Sequence, residues 1–223
     1  MLGSVLKLWH DARELASLNP SEAAIPDMEL LLEASQHTSI DLLEIDEENK
    51  TVRINDPFAL IDVGAIGKGY ATEKAAQYLE DKGCSSYVLN IGGNIRIIGT
   101  KVDGDGWITG IKNPHDPETY AFYTKIADTS CVTSGDYERY FTVENVRYHH
   151  IIDGSTLMPA NYFSSITVLA KNSGLADTLS TALFCMSYEE GLALVESLED
   201  VEVLWIGIDG EQKKTDGMLA YER

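Results

Sequence analysis

Two oxygen-bearing side chains at the start of a predicted helix, Asp177 and Thr181, are the residues best placed for chemistry in this sequence. They are four residues apart, so in a helix both side chains lie on the same face. A carboxylate, a hydroxyl and water are hard oxygen ligands of the kind that Mg²⁺ prefers. The alternative is that Asp177 only caps the helix or complements its dipole. We expect this turn to be exposed, so loss of Asp177 should leave the fold intact.

A glycine-rich segment, Asp62-Val-Gly-Ala-Ile-Gly-Lys68-Gly, lies between a short apolar run and a second predicted helix. Its glycines would let a ligand approach the backbone, and a helix N-terminus favours negative charge. Lys68 could reach a phosphate, but neither Ser nor Thr follows it, so the segment is not a Walker A loop. A strand–turn–helix whose glycines serve only packing explains the pattern equally well.

Two further clusters keep a structural and a functional interpretation open. The segment Asn90-Ile-Gly-Gly-Asn94 favours a tight bend between strands. His149, His150 and Asp153 resemble metal ligands, but adjacent residues of a strand point to opposite faces, so both histidines cannot hold one ion. An inward His150 acting with Asp153 and a hydrogen-bonded core histidine are both compatible with the sequence.

The composition is acidic, with a formal net charge of -19, which excludes the basic surface that a nucleic-acid partner requires. The same charge would repel any phosphate-bearing ligand, so such a ligand needs local neutralisation. A divalent cation on Asp177 would supply it. Three scattered cysteines predict neither a disulfide framework nor a zinc site. We find neither an apolar run long enough for a membrane span nor a signal peptide.

The order of the predicted elements indicates an α+β fold, because helices are interspersed with a meandering antiparallel sheet. At 223 residues the chain suits one large domain or two small interleaved ones. Periodicity and turn residues predict helices at 27–34, 66–82, 175–186 and 188–198. They predict strands at 42–45, 51–54, 87–91, 95–99, 107–112, 120–126, 130–133, 139–143, 147–151, 166–170 and 203–208.

Taken together, these clusters resemble the ApbE family, the FAD:protein FMN transferases once described as thiamine-biosynthesis lipoproteins. The resemblance covers essentially residues 1–223 and depends on six motifs in the family's order and approximate spacing. These motifs are Gly3-x-x-x-x-Leu8-Trp9, the segment from Asp62 to Lys68, Gly92-Gly93, Ser134-Gly-Asp-Tyr-Glu-Arg139, His150-Ile-Ile-Asp153 and Asp177-x-x-x-Thr181. It implies an ApbE-like, T-fold-like α+β domain over residues 1–223, truncated at its N-terminus relative to the family.

The resemblance also implies a site that holds FAD and Mg²⁺. Asp62 and Lys68 would contact FAD, and the backbone of Ile151 would contact the nucleotide. The segment Met1-Leu2-Gly3 would line the flavin. The carbonyl of Ala65 and the side chains of Asp177 and Thr181 would bind the metal, with Ser180 as a further contributor. We expect the flavin between the antiparallel sheet and the Gly64–Lys82 helix.

The implied activity is Mg²⁺-dependent transfer of FMN from FAD to a threonine hydroxyl of a flavoprotein, such as a subunit of a redox pump, with release of AMP. Two alternatives stay open: an FAD pyrophosphatase that yields FMN and AMP, and a flavin-binding protein without turnover. A homodimer is possible. Members of the family are usually anchored on the outer face of the inner or cytoplasmic membrane, but this chain shows no signal peptide, so its location stays open.

One departure from the family concerns the run after His150. The family's His-Ile-Ile-Asp-Pro-x-Thr-Gly appears here as His150-Ile-Ile-Asp-Gly154-Ser-Thr156-Leu157, so we expect a differently built turn after Asp153. The family's longer N-terminal portion is also absent from this sequence, which affects the expected flavin affinity and turnover. It does not affect the metal motif.

Overall fold

The protein folds into two compact units that alternate along the chain. The computed structural model describes residues 1–222, and for Pro117 only the backbone. The first unit, Met1–Val63 and Glu138–Ala160, is called the helix–hairpin unit. The second, Gly64–Tyr137 and the chain from Asn161 onward, is called the sheet unit. The sequence analysis treats residues 1–223 as one domain, and the number of domains stays a prediction.

The helix–hairpin unit contains two helices and two antiparallel hairpins. The elements are α1 (Gly3–Leu18), α2 (Met28–Ser35), β1 (Leu43–Asp46), β2 (Thr51–Ile54), β8 (Tyr140–Val143) and β9 (Val146–His149), with short 3₁₀ turns at Pro20–Glu22 and Ile40–Leu42. Its core forms where α1 packs on the β8–β9 hairpin. Trp9 contacts the rings of Phe141 and Tyr148, and its indole N–H donates to the carbonyl of Leu157 at 2.9 Å.

Helix α1 is not among the helices predicted from the sequence. The residue before this helix, Leu2, has no side chain that can accept a hydrogen bond from the first turn, so the usual start signal is lacking. The helix is stabilised instead by its buried stripe, which includes Val5, Trp9 and Ala16. α2 begins at its predicted place, because the carboxylate of Asp27 accepts the N–H of Glu29 at 2.7 Å.

The sheet unit is built on one antiparallel sheet of six strands. Its elements are α3 (Gly67–Asp81), β3 (Tyr87–Ile91), β4 (Asn94–Ile98), β5 (Trp107–Asn113), β6 (Asp116–Ile126), β7 (Ser130–Gly135), β10 (Phe163–Ala170), α4 (Ser173–Phe184), α5 (Tyr188–Glu196), β11 (Val201–Gly207), β12 (Gln212–Lys214) and a 3₁₀ turn at Asp216–Tyr221. The strand order is β12-β11-β10-β7-β4-β3, and β5 and β6 form a separate hairpin. The predicted α+β class is confirmed.

The two faces of this sheet differ in chemistry. One face packs against the β5–β6 hairpin through an apolar core that includes Ile97, Cys131, Leu169 and Leu204. The opposite face lies under α3 and α4, and its residues on β4 and β7 are largely polar. The candidate site lies on this polar side. None of the helices in the described residues is long and apolar enough to cross a membrane.

Candidate functional site

Asp177 lies in the second turn of α4 and is buried, with 4% of its surface exposed. The helix begins at Ser173, two residues before its predicted start, because the side chain of Asn172 caps it by accepting the N–H of Leu175 at 2.9 Å. The carboxylate Oδ2 of Asp177 accepts the N–H of Gly69, in the first turn of α3, at 2.7 Å. The predicted exposure of Asp177 is therefore wrong, since α3 covers this turn.

Gly69 allows the two helices to approach this closely. A Cβ atom at position 69 would lie 2.3 Å from the carbonyl oxygen of Ser173 and 2.4 Å from the Cβ of Asp177. No side chain larger than hydrogen fits at such distances. This glycine, which the sequence analysis assigned to ligand approach or packing, serves the contact between helices that holds Asp177.

The carboxylate of Asp177 lacks a full counter-charge. Burial raises its pKa, and the Gly69 N–H, Lys68 and Asn94 lower it by less. The amide nitrogen of Asn94 is buried and has no hydrogen-bond partner in the described residues. A buried carboxylate with a raised pKa and no full counter-charge is an environment that a bound cation would stabilise.

A buried polar network holds the N-terminal turn of α4 in place. Glu73 of α3 accepts the N–H of Ser173 at 2.8 Å and forms an ion pair with Arg96 of β4 at 3.4 Å. Ser173 also donates its hydroxyl to the side-chain oxygen of Asn94 at 2.5 Å. The N-terminal turn of α4 is thereby fixed to both α3 and β4 through side chains that are almost fully buried.

The two hydroxyls near Asp177 have different surroundings. Ser180 is fully buried, and its Oγ lies 2.9 Å from the carbonyl of Asp177 and 2.8 Å from the Oγ of Ser134 on β7. Thr181 is half-buried and lies one turn beyond Asp177 on the same helix face. Ser180 is therefore already engaged in holding the turn to the sheet, which leaves Thr181 as the freer oxygen.

These oxygen atoms suit a Mg²⁺ ion that is shared with a substrate, rather than a metal ion held only by protein side chains. No group of three His, Cys, Asp or Glu side chains in residues 1–222 could hold an ion. Mg²⁺ is commonly bound through one or two carboxylates together with substrate phosphates and water. Asp177 and Thr181 carry oxygen donors of this kind on one face of α4, and Ala65, the third predicted ligand, is an exposed residue just before α3.

The other predicted flavin contacts lie in the helix–hairpin unit. The amino group of Met1 donates to the carbonyl of Thr38 at 2.9 Å, and a Cβ at Gly3 would lie 2.3 Å from the carbonyl of Leu60. The side chain of Leu2 lies near Gly154, since a Cβ there would be 3.7 Å from its Cδ1. Asp62 is exposed, in a segment with neither helix nor strand.

Ile151 is buried, and its backbone is already paired within this unit. Its N–H donates to Nδ1 of His149 at 3.3 Å, and its carbonyl accepts the N–H of Ala160 at 3.0 Å. Asp62 and Ile151 thus belong to one unit, whereas Ala65, Lys68, Asp177, Ser180 and Thr181 belong to the sheet unit. Within the sheet unit, the fold brings Lys68 of α3 close to Asp177 of α4.

The structure separates the two histidines that the sequence left ambiguous. His149 is a satisfied core residue, with Nε2 at 2.8 Å from the carbonyl of Ala160. His150 has a buried Nδ1 with no hydrogen-bond partner among the described residues, and desolvation followed by the charge of Arg139 lowers its pKa to about 4. Asp153 bonds to the backbone and hydroxyl of Ser155 instead. A neutral imidazole with a free nitrogen could accept or donate a proton.

The fold is similar to that of solved ApbE proteins. A crystal structure of the ApbE protein of Thermotoga maritima MSB8 superposes with a TM-score of 0.85 at 32% identity, covering 97% of this chain and 71% of that one. The flavin transferase ApbE of Vibrio cholerae gives a TM-score of 0.81 at 30% identity, covering 99% and 69%.

Sequence relatives carry the same name. The FAD:protein FMN transferase of Treponema pallidum (strain Nichols) is 34% identical over 98% of this chain and 62% of its own length. That of Vibrio cholerae serotype O1 is 36% identical over 99% and 63%. The chain thus spans about three fifths of the length of these relatives. A sequence profile of the ApbE family matches residues 1–205. The chain belongs to the ApbE family.

Proposed function

We propose that this protein is an FAD:protein FMN transferase, which moves FMN from FAD to a threonine hydroxyl of an acceptor flavoprotein and releases AMP. Family membership and the names of the relatives support this activity. The observation that carries the proposal is the carboxylate of Asp177, buried without a full counter-charge and fixed to the first turn of α3.

In this proposal, Asp177, Thr181 and the carbonyl of Ala65 hold Mg²⁺, and Ser180 keeps the Asp177 turn on the sheet. The bound cation would neutralise the pyrophosphate of FAD and polarise its phosphorus–oxygen bonds. Lys68 and the N-terminal turn of α3 add positive potential on the same side of the unit. An acidic protein would thereby hold a polyanion through local charge.

The chemical step exchanges one phosphorus–oxygen bond for another. The bond between the FMN phosphorus and the bridging oxygen breaks, and AMP leaves with that oxygen. A bond forms between the same phosphorus and the threonine oxygen, whose proton is released. Water in place of the threonine would give free FMN and AMP, so the acceptor alone distinguishes transfer from hydrolysis.

The test is incubation of the purified protein with FAD and Mg²⁺, with and without a threonine-containing acceptor protein. AMP is measured by chromatography and flavin on the acceptor by in-gel fluorescence. AMP that appears only with the acceptor supports transfer, and AMP that appears equally in both supports hydrolysis. FAD binding without AMP release indicates a binding protein. A protein that neither binds nor cleaves FAD would have none of the three activities.

The matched control is an exposed carboxylate on α3. Asp81→Asn changes the same group at the far end of that helix, where the residue is exposed. We expect Asp81→Asn to cleave FAD at the wild-type rate and Asp177→Asn to lose cleavage. Equal activity of the two variants would remove the metal assignment.

A further inference from the structure

The helix–hairpin unit carries a second cluster of charged residues that the proposed activity does not use. α1 lies across one face of the β8–β9 hairpin, where Trp9 packs against the cross-strand pair of Phe141 and Tyr148. The next cross-strand pair on this face is Arg139 and His150, since the N–H of His150 donates to the carbonyl of Arg139 at 3.0 Å.

A third basic side chain reaches the same place from α1. Arg13 follows Trp9 by four residues, so it lies one turn further along the same helix face. The electrostatics agree with this placement. The charge of Arg139, after burial, lowers the pKa of Arg13, and both arginines lower the pKa of His150. Two guanidinium groups therefore stand close enough to repel each other.

No carboxylate in the described residues forms an ion pair with either guanidinium. Arg13 places Nη2 at 2.8 Å from Nδ1 of His10, a side chain that carries no negative charge. Glu14 raises the pKa of Arg13 only as a lesser contribution, and it lies 3.1 Å from Nε2 of His10. In a chain with a net charge of -19, two neighbouring arginines that form no ion pair with a carboxylate in residues 1–222 are an exception that points to an anionic ligand.

We propose that Arg13 and Arg139, with His150 beside them, bind a phosphate group. Guanidinium groups bind phosphate through paired N–H donors, and two of them can share the negative charge of one dianion. Arg139 is exposed and Arg13 is half-buried, so the group can be reached from solvent. Inorganic phosphate and the phosphate monoester of a nucleotide share this chemistry. The two arginines belong to the helix–hairpin unit, whereas Asp177 belongs to the sheet unit.

The test measures binding of inorganic phosphate by calorimetry, in EDTA so that no metal-dependent binding contributes. Chloride at matched ionic strength is the reference. We expect Arg13→Gln and Arg139→Gln each to weaken binding at least 10-fold, and Arg139→Lys to recover part of it. The control is Arg147→Gln, on the same hairpin, where the guanidinium lies 4.3 Å from the ring of Tyr140 on the other face.

Thermal unfolding gives a second readout that a merely structural role would not produce. Without phosphate, Arg139→Gln should unfold at the wild-type temperature or above it, because like-charge repulsion is removed. With phosphate, the wild type should gain stability and the variant should not. A wild type that does not bind phosphate, or an Arg147→Gln variant that loses binding equally, would overturn the proposal.

The same variants identify the source of the phosphate. AMP that binds more tightly than inorganic phosphate, with the excess lost in Arg139→Gln, supports a nucleotide monoester. Equal affinities that are both lost in this variant support free phosphate. AMP binding that is independent of both arginines would contradict the assignment of a nucleotide to this cluster.

Discussion

The buried carboxylate of the sheet unit and the arginine pair of the helix–hairpin unit have opposite deficits. Asp177 has a raised pKa because its burial outweighs the Gly69 N–H and the charge of Lys68. Arg13 has a lowered pKa because burial and Arg139 outweigh Glu14. The first environment lacks a cation, and the second lacks an anion.

This difference shows how little the net charge says about a local site. The formal charge of -19 suggests that a phosphate needs a local cation. It does not indicate that Arg13 and Arg139 lie close together once the β8–β9 hairpin has formed. Charge balance has to be judged at each cluster, and each deficit makes its own prediction.

The largest expected effect is on metal binding and FAD cleavage in Asp177→Asn. An amide oxygen can still accept the N–H of Gly69, so the free energy of unfolding without metal should stay within about 1 kcal/mol of the wild type. The charge is lost, so Mg²⁺ should no longer stabilise the protein, and AMP release should fall at least about 100-fold. Calorimetric Mg²⁺ titration and chromatography of AMP measure the two effects.

Asp177→Ala separates the structural part of this role from the chemical part. Alanine leaves the buried N–H of Gly69 without a partner, which should cost about 1–3 kcal/mol of stability in addition to the lost activity. If Asp177→Asn kept full Mg²⁺ affinity, the carboxylate would not be the cation site. The claim that this environment lacks a cation would then be wrong.

The next effect concerns the contact between α3 and α4. Gly69→Ala places a methyl group against the backbone of Ser173, so the helices must separate at a cost of about 1–3 kcal/mol. Because Asp177 moves with α4, Mg²⁺ affinity should fall too. Urea unfolding and metal titration test both.

Gly191→Ala on α5 is the matched control for Gly69→Ala. Its nearest new contact is the flexible end of Leu183 at 3.2 Å, so a small shift of that side chain can accommodate the methyl group. It should leave Mg²⁺ affinity unchanged. A Gly69→Ala variant as stable as Gly191→Ala would show that close helix approach does not position the carboxylate.

The pH dependence of stability tests the surroundings of His150, beside the arginine pair. The pKa of His150 is lowered to about 4 from an ordinary value of 6.5, so the unfolded chain binds its proton at higher pH than the folded one. This group should therefore make stability fall as the pH drops from 6.5 towards 4. Urea unfolding at pH 4.5 and pH 7 should show a smaller difference in His150→Gln.

Arg139→Gln tests the cause of this shift. Removal of a neighbouring positive charge should raise the pKa of His150, which NMR titration of the imidazole measures directly. Arg147→Gln should leave that pKa where it is. An unchanged pKa in Arg139→Gln would mean that Arg139 does not act on His150, and the two arginines would then not act on His150 as a cluster.

The smallest expected effect is that of Ser134→Ala. The variant removes one hydrogen bond to Ser180, whose hydroxyl still reaches the carbonyl of Asp177, so about 0.5–1.5 kcal/mol of stability should be lost. Mg²⁺ affinity should weaken a few-fold. Thr133→Val removes the hydroxyl pair with Thr167 on the other sheet face and should leave that affinity unchanged.

Local signals predicted the elements whose ends are marked in the sequence. Asp27 starts α2, and Gly83, with a positive φ of 86°, follows the end of α3. The spacing of Asp177 and Thr181 correctly places both on one helix. The burial of Asp177 could not be foreseen, because Gly69 is 108 residues away.

The arginine cluster was equally inaccessible from the sequence. Arg13 lies on a helix without a capping signal, and Arg139 belongs to a motif noted only for its family resemblance. Their proximity follows from the packing of Trp9 on the β8–β9 hairpin, which no periodicity in either segment indicates. Partners distant in the sequence are thus what the structure adds.

The hydrogen bond from Trp9 to Leu157 joins residues 148 positions apart, and this has a consequence for synthesis in the cell. At about 5–20 residues per second, a ribosome needs roughly 7–30 s to proceed from one residue to the other. For most of that interval the apolar face of α1 has neither Phe141 nor Tyr148 to cover it. A nascent chain should therefore expose this helix to chaperones for seconds, even though the sheet strands β3, β4 and β7 emerge before the β8–β9 hairpin.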